Sequence, residues 1–450
     1  TRRDFLKICG GGTAGAVLLS MLDPDFVFAA APMDIPLKKK IGEKTTICCY
    51  CGVGCGAIVA SENGKAVNIE GDPDHPINEG ALCSKGCALY QVTNNTRRLD
   101  RVRWRDQYSY DWEEVDWDWA IDRIAQRIKD TRDDTFVRTE DGHTVNHTEK
   151  IAWDGSAMVN SEEAYLFTKF ARALGITYLE HCARLCHSST VAALIESFGR
   201  GAMTNHWIDI KNSNCIMIIG SNAAENHPLS FKWVTRAIEN GAKLISVDPR
   251  FTRTSSKANI YAKMRSGTDI AFIGGMIRYV INDIETHPEN YNMSYITEYT
   301  NAAFLIDSGF QGPADLDGLF SGYNPDTRKY EDKSTWQYQL DEGGIPKRDP
   351  TLQDPNCVFQ ILKRQFERYD PETMCKITGT PREIYDEVCR TYAGTGRPDR
   401  AGTIIYAMGA TQHTNAVQMI RSYAILQLLL GNMGVAGGGI NAARGQSNVQ

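Results

Sequence analysis

The sequence lacks any uninterrupted apolar run of about 18 residues, the length a membrane-crossing helix needs. With a mean hydropathy of -0.36, that excludes a polytopic membrane protein. It also lacks a basic stripe: 49 Lys and Arg against 55 Asp and Glu leave a formal charge of -6, so nucleic acid is not an expected partner. No internal repeat and no low-complexity tract is visible, so no repeat array organises the chain. What it has is length and cysteine. The 450 residues, at about 150 per domain, suggest roughly three domains and a large core, which excludes disorder and a disulfide-stapled miniprotein. Thirteen cysteines are an odd number, and the first group is packed too tightly for a simple disulfide ladder.

The chain opens TRRDFLKICGGGTAGAVLLSMLDPDFVFAA. Arg2-Arg3, then Phe5-Leu6-Lys7, a short Gly/Ala/Leu run and Ala29-Ala30-Ala31 have the three-part form of an export signal. Paired arginines ahead of a weakly apolar, Gly-rich segment look like a twin-arginine signal over residues 1–31, which carries folded proteins into the periplasm. The bland alternative is a basic helix packed on the domain.

Residues 45–70 read as a small β unit, with Glu62-Asn63-Gly64-Lys65 as its hairpin turn. Asp116 can cap a helix carrying Ala120, Ile121, Ile124, Ala125 and Ile128 on one face. From about residue 150 buried strands and helices alternate. CIMIIG (215–220), KLISVD (243–248), IYAKM (260–264) and TIIYAM (403–408) read as strands. Pro228–Asn240, Asp269–Asn282, residues 357–368 and Asn415–Leu430 read as helices. That rhythm predicts an α/β fold with a doubly wound, mostly parallel sheet. The polar, turn-rich stretch 310–355 reads as a surface excursion.

Cys48-x2-Cys51-x3-Cys55, then 27 residues, then Cys83 supplies four thiolates. Four thiolates suit an iron–sulfur cluster, and they also suit structural zinc or disulfides. The 3+1 spacing, with Gly52, Gly54 and Gly56 around the ligands, favours a cubane, because glycines let backbone N–H groups approach the sulfides. Cys49 and Cys87 are left out of the set. Lys85, two residues past the fourth ligand, reads by base rate as a solvated lysine. Beside an anionic cluster and another anionic cofactor it would be a fixed cation that lowers the cost of charge during electron transfer, and position alone does not choose between the two.

The leader, the C-x2-C-x3-C…C-S-K-G cluster and the CHSSTVAAL…GRGAMTNHW block together resemble a molybdopterin oxidoreductase, and more narrowly the catalytic subunit of a periplasmic or respiratory formate dehydrogenase. The resemblance runs from the leader to Gln450 and takes in the 310–355 excursion. It implies a small β-rich [4Fe–4S] domain at 42–105, then DMSO-reductase-like α/β domains over 106–450, with a C-terminal cofactor-binding domain missing. In the family the residue at position 186, cysteine or selenocysteine, ligates molybdenum or tungsten, and an adjacent histidine marks formate dehydrogenases. Cys186 and His187 fit that pattern in RLCHS. A soft thiolate suits such a metal, and an imidazole can take the proton released from formate. Without the resemblance, the bland reading of a buried Cys and a helix-capping His would prevail. Arg444, in RGQSNVQ, is implied as the clamp on the formate carboxylate.

The same resemblance implies two molybdopterin guanine dinucleotides, held by Gly220, Asn222 and Glu225, by Asp248 and Arg250, by Gly267 and Asp269 at a phosphate-binding helix start, and by Met408, Gly409, Gln412 and Gln446 on the pterin side. It implies electron transfer from formate through Lys85, as electron relay, and the cluster to an iron–sulfur subunit, with a cytochrome or membrane subunit beyond it. Three competitors stand beside it: another molybdopterin oxidoreductase such as a nitrate reductase, a non-catalytic iron–sulfur electron-transfer protein, and a structural zinc module.

Overall fold

The computed structural model describes residues 42–156, 159 and 161–444. The expected leader and Gln446 lie outside the described residues. The first unit is an antiparallel sheet of β1 (Glu43–Ile47), β2 (Gly56–Glu62) and β3 (Lys65–Gly71). Asn63 and Gly64 take φ of 51° and 75°, the left-handed pair that a two-residue hairpin turn demands. The β1–β2 loop carries Cys48, Cys51 and Cys55.

Helix α1 (Trp117–Thr135) starts where Asp116 accepts a 2.8 Å hydrogen bond from the Trp119 N–H. Of its expected apolar face only Ala120 is buried; Ile121 and Ile124 are 56% and 58% exposed. Helical spacing puts these residues on one face, but a period supplies no covering element. A small sheet follows, of β4 (Val137–Glu140), β5 (His143–Gly155) and β6 (Ile176–His181). It is mixed, because β4–β5 is a hairpin and β5–β6 is a parallel pair joined through α2 (Ser161–Leu174).

From β6 the chain passes through a turn of helix, α3 (Cys182–Cys186), into α4 (Ser188–Phe198) and then to the main sheet. Its strands are β7 (Cys215–Ile219), β8 (Lys243–Val247), β9 (Ile260–Ala262), β10 (Gly402–Tyr406) and β11 (Gly439–Ala442). All are parallel, in the order β9–β8–β7–β10–β11. Every residue of β7 and β10 is buried, which explains their continuous apolar reading. Met217 and Ile219 pack among residues of α4, α6 (Asp269–Thr286) and α7 (Ala416–Leu429). On the other face Ile216 and Ile218 pack with α5 (Pro228–Glu239) and with Cys48, Cys51, Val53 and Cys55. The cysteine loop therefore docks directly on the main sheet.

Inside α7, buried Gln427 donates to the carbonyls of Gly402 and Gly439 and so ties the starts of β10 and β11 together. The 310–355 excursion forms a two-stranded ribbon, Tyr323–Asn324 with Lys329–Tyr330, under which Phe320, Tyr330 and Trp336 pack edge to face or tilted. Among the described residues no helix is long and apolar enough to cross a membrane.

Candidate active site

Three of the four predicted cluster cysteines, Cys48, Cys51 and Cys55, are buried, and Cys83 is half-buried beside them. The Cys48 N–H donates to the Cys55 carbonyl at 2.8 Å, closing the loop, and Gly54 takes φ +64° inside it. Burial first, then mutual repulsion with Cys51, Cys48 and Cys83, pushes the Cys55 thiol up to about 12. A thiolate at Cys55 is repelled by those of its neighbours, so a cationic centre favours taking the four sulfurs together. Among the described residues no three or more His, Cys, Asp or Glu side chains close on a single-ion position. A cubane binds one thiolate on each of four irons, so its ligands stand wider apart than those of one ion.

Cys83 is brought back by a residue the sequence did not single out. Asn78 is fully buried; its Oδ1 accepts from the Gly56 N–H, and its Nδ2 donates to the carbonyls of Gly56 and Ala81. It fastens the residue after Cys55 to the segment leading to Cys83. Asn78→Ala leaves the buried Gly56 N–H without this partner, while the Gly56 carbonyl keeps the Asp72 N–H and the Ala81 carbonyl is left to solvent, a cost of about 1–3 kcal/mol. Iron content per chain is expected to drop in that variant, measured after purification without oxygen.

Lys85 sits within electrostatic reach of Cys51, where its charge favours the thiolate, and its Nζ lies 3.5 Å from the Asn226 carbonyl. Asn226 belongs to the turn after β7, so the lysine stands between the cysteine loop and the strand ends of the main sheet.

At those strand ends Cys186, His187 and Arg444 come together. Gln412 Nε2 lies 3.7 Å from Cys186 Sγ, and Cys186 and Arg444 are electrostatic neighbours. His187 occupies the N-cap position of α4, yet its side chain makes no capping bond. Both ring nitrogens are buried without a protein partner among the described residues, which removes the bland helix-cap reading. Burial, then the charges of Arg444 and His227, lowers the His187 pKa to about 4, so the imidazole is neutral at pH 7 and a weaker base than a free histidine. Arg444, at the end of β11, is 6% exposed; one Nη donates to the Gly201 carbonyl at 2.6 Å, while Nε has no partner among the described residues.

The order of the main sheet reverses between β7 and β10, which is where open α/β sheets bind their ligands. Gly220 and Gly409 meet there backbone to backbone: the Gly409 N–H donates to the Gly220 carbonyl at 3.1 Å. A Cβ on Gly409 would stand 2.5 Å from that oxygen. No side chain fits between them. Met408 beside them is half-exposed. Asn222 accepts from Thr254 at 3.0 Å and donates to Glu225, whose other oxygen lies 3.6 Å from Arg253. These two residues hold the turn after β7 against the loop after β8 and shape the crevice.

Asp248 directly follows β8, accepts from the Arg250 N–H at 2.9 Å, and is raised in pKa by burial; Arg250 and Gly267 are exposed. Asp269 opens α6 almost completely buried, with Oδ1 unpartnered among the described residues. Burial is the main reason its pKa rises from 3.8 to about 6, with Asp248 adding to the rise and His413 opposing it. A buried carboxyl at this helix start suits the N–H and O–H donors of a guanine or ribose, not the phosphate that the helix start by itself suggests. Because the folded pKa lies above the unfolded one, this group's relative stabilisation is present below pH 3.8 and lost as the pH rises through 6. Asp269→Asn is therefore expected to stabilise cofactor-free protein at pH 7, on the order of 3 kcal/mol, with the gain vanishing near pH 4 in denaturant titrations.

The sequence matches the family described as molybdopterin oxidoreductase over residues 102–449, and its Fe4S4 domain over residues 42–95. The chain belongs to the molybdopterin oxidoreductase family. It is 52% identical to the formate dehydrogenase subunit alpha of Megalodesulfovibrio gigas, over 100% of this chain and 44% of that protein. It is 45% identical to the formate dehydrogenase-O major subunit of Escherichia coli (strain K12), again over 100% of this chain and 44% of the relative. The F420-dependent formate dehydrogenase subunit alpha of Methanocaldococcus jannaschii is 34% identical over 90% of this chain and 48% of its own length. The chain thus spans less than half the length of the curated relatives it matches. Among solved structures, acetylene hydratase from Pelobacter acetylenicus superposes with a TM-score of 0.63 at 20% identity, covering 88% of this chain and 44% of that one, which shows a shared fold.

Membership in this molybdopterin oxidoreductase family implies a molybdenum or tungsten pterin and one [4Fe–4S] cluster, and the residues fit both. Gly220 and Gly409 let the two strand ends close on each other backbone to backbone beside the site. Buried polar atoms of Ser221, His187, Asp269 and Arg444, unpartnered among the described residues, supply donors and acceptors. Sequence reasoning passed over His227 and Trp207 as site residues. A histidine between Asn226 and Pro228, at the mouth of the first strand of the sheet, was the available signal.

Proposed function

We propose that this chain carries the catalytic centre of a formate dehydrogenase, HCOO⁻ ⇌ CO2 + H⁺ + 2e⁻. The observation that carries it is the meeting of the adjacent pair Cys186–His187 with Arg444, from a distant part of the chain, beside Gln412. The names of the relatives support the substrate. Bound at the strand ends, a molybdenum or tungsten bis(molybdopterin guanine dinucleotide) supplies two-electron redox chemistry, with Cys186, or selenocysteine in its place, as its protein ligand.

The chain's own residues then have separate tasks. Arg444 binds the carboxylate through the guanidinium edge that Gly201 does not occupy. Neutral His187 takes a proton at a ring nitrogen, and its burial keeps bulk water away. Gly220, Asn222, Glu225, Asp248, Arg250, Gly267, Asp269, Met408, Gly409 and Gln412 line or shape the cofactor crevice. Lys85 holds a positive charge beside Cys51, on the side facing the turn after β7. A separate iron–sulfur subunit takes the electrons from the cluster, with a cytochrome or membrane subunit after it. The twin-arginine leader sends the folded protein to the periplasm.

The test is turnover by the full-length enzyme, purified without oxygen, with formate against nitrate. Formate oxidation with no nitrate reduction is expected. Nitrate reduction without formate oxidation overturns the reading in favour of another member of the superfamily.

A further inference from the structure

The Arg444 backbone does something its side chain does not. Its carbonyl accepts two hydrogen bonds, from the Gly52 N–H at 2.9 Å and from His227 Nε2 at 2.6 Å. Gly52 lies between Cys51 and Val53, inside the cluster loop. The ring of Trp207 closes the circuit: its Nε1–H donates to the Gly52 carbonyl at 3.0 Å, and it stacks on His227 with centroids 6.4 Å apart and planes 29° apart. Four residues from four distant parts of the chain thus form a closed ring.

We propose that His227 is a positioning residue that locks the substrate-side arginine to the cluster loop through this one shared peptide carbonyl. A carbonyl only accepts, so Nε2 carries the proton and donates. Nδ1 has no protein partner among the described residues, so no second bond competes for the ring's orientation. The ring is anchored from behind: the His227 N–H donates to the Ala223 carbonyl, the Ser230 hydroxyl donates to the His227 carbonyl, and Pro228 starts α5 directly after it. On the other side of the same turn Lys85 reaches the Asn226 carbonyl. The turn after β7 therefore touches the cluster side at Lys85 and the substrate side at Arg444. Displacement of the Cys51–Val53 loop moves the Arg444 peptide, and the reverse holds equally.

The proposal rests on Arg444 as the formate-binding residue, and its test separates the two. In the full-length holoenzyme His227→Phe keeps a ring against Trp207 and loses the donor, whereas His227→Gln keeps an N–H donor. The Phe variant is expected to raise KM for formate about tenfold, the worth of one buried hydrogen bond, with kcat within about threefold of the parent. It is also expected to change the g values of the reduced cluster in electron paramagnetic resonance. The Gln variant is expected to recover both, and loss of the cluster in the Phe variant alone would support the same role.

Unchanged KM and g values in the Phe variant, equal damage in both variants, or a fall in kcat alone overturns the proposal. Should the parent fail to oxidise formate, the reading of Arg444 falls. The cluster signal still decides whether the His227 donor holds the loop.

Discussion

Cys186→Ala in the full-length enzyme is expected to lower formate turnover by at least about 10³-fold, some 4 kcal/mol of barrier, while iron per chain stays at the parent value. The two halves of that result come from geometry. Cys186 closes the short α3 helix after β6 and has Gln412 and Arg444 as neighbours, so its sulfur faces the crevice at the sheet's switch point. The predicted cluster cysteines pack elsewhere, with Ile216, Ile218 and α5. Removing one sulfur on the crevice side therefore leaves the cluster loop untouched. Steady-state kinetics and iron analysis on one preparation check both parts. Iron lost together with activity would mean that the two sites are not separated as described.

Arg444→Leu is expected to lower kcat/KM for formate by about 10²- to 10³-fold, because a buried charge-assisted pair is worth on the order of 3–4 kcal/mol. Arg444→Lys keeps a charge but loses the planar fork, and is expected to fall in between, about tenfold below the parent. The loss belongs to the side chain. The shared carbonyl that His227 and Gly52 grip is present in every variant at this position, so the cluster loop should keep its iron. Kinetics as a function of formate concentration, read beside iron content, separate the two roles of one residue.

Much of this arrangement is legible in the sequence where one local signal suffices. The strands read at 215–220 and 403–408 are found at Cys215–Ile219 and Gly402–Tyr406, with Met408 already in a short helix, because both their faces are buried, which leaves unbroken apolar runs. Asp116 and Asn63-Gly64 read correctly because capping and positive φ depend on the residues themselves. The cysteine spacing is equally local, and the match to an Fe4S4 domain over residues 42–95 agrees with it.

What the sequence hides is adjacency. Nothing in TIIYAM says that it lies next to CIMIIG, and that adjacency is what brings Gly409 onto Gly220. Asn78 reads as one polar residue in a loop, although it ties Gly56 to Ala81. The Arg444 carbonyl is invisible because a main-chain acceptor has no residue type to betray it. Ile121 and Ile124 show the converse, a helical face that is legible as a pattern but exposed in the described fold.

The most direct test of the central claim is a single addition of formate to the full-length enzyme, purified without oxygen and held without an electron acceptor. The account predicts that formate bleaches the broad visible absorbance of the cluster, that the Arg444→Leu variant bleaches far more slowly, and that nitrate leaves the spectrum unchanged. Protein that holds four irons and one molybdenum or tungsten per chain, and keeps its full absorbance after formate, would contradict it.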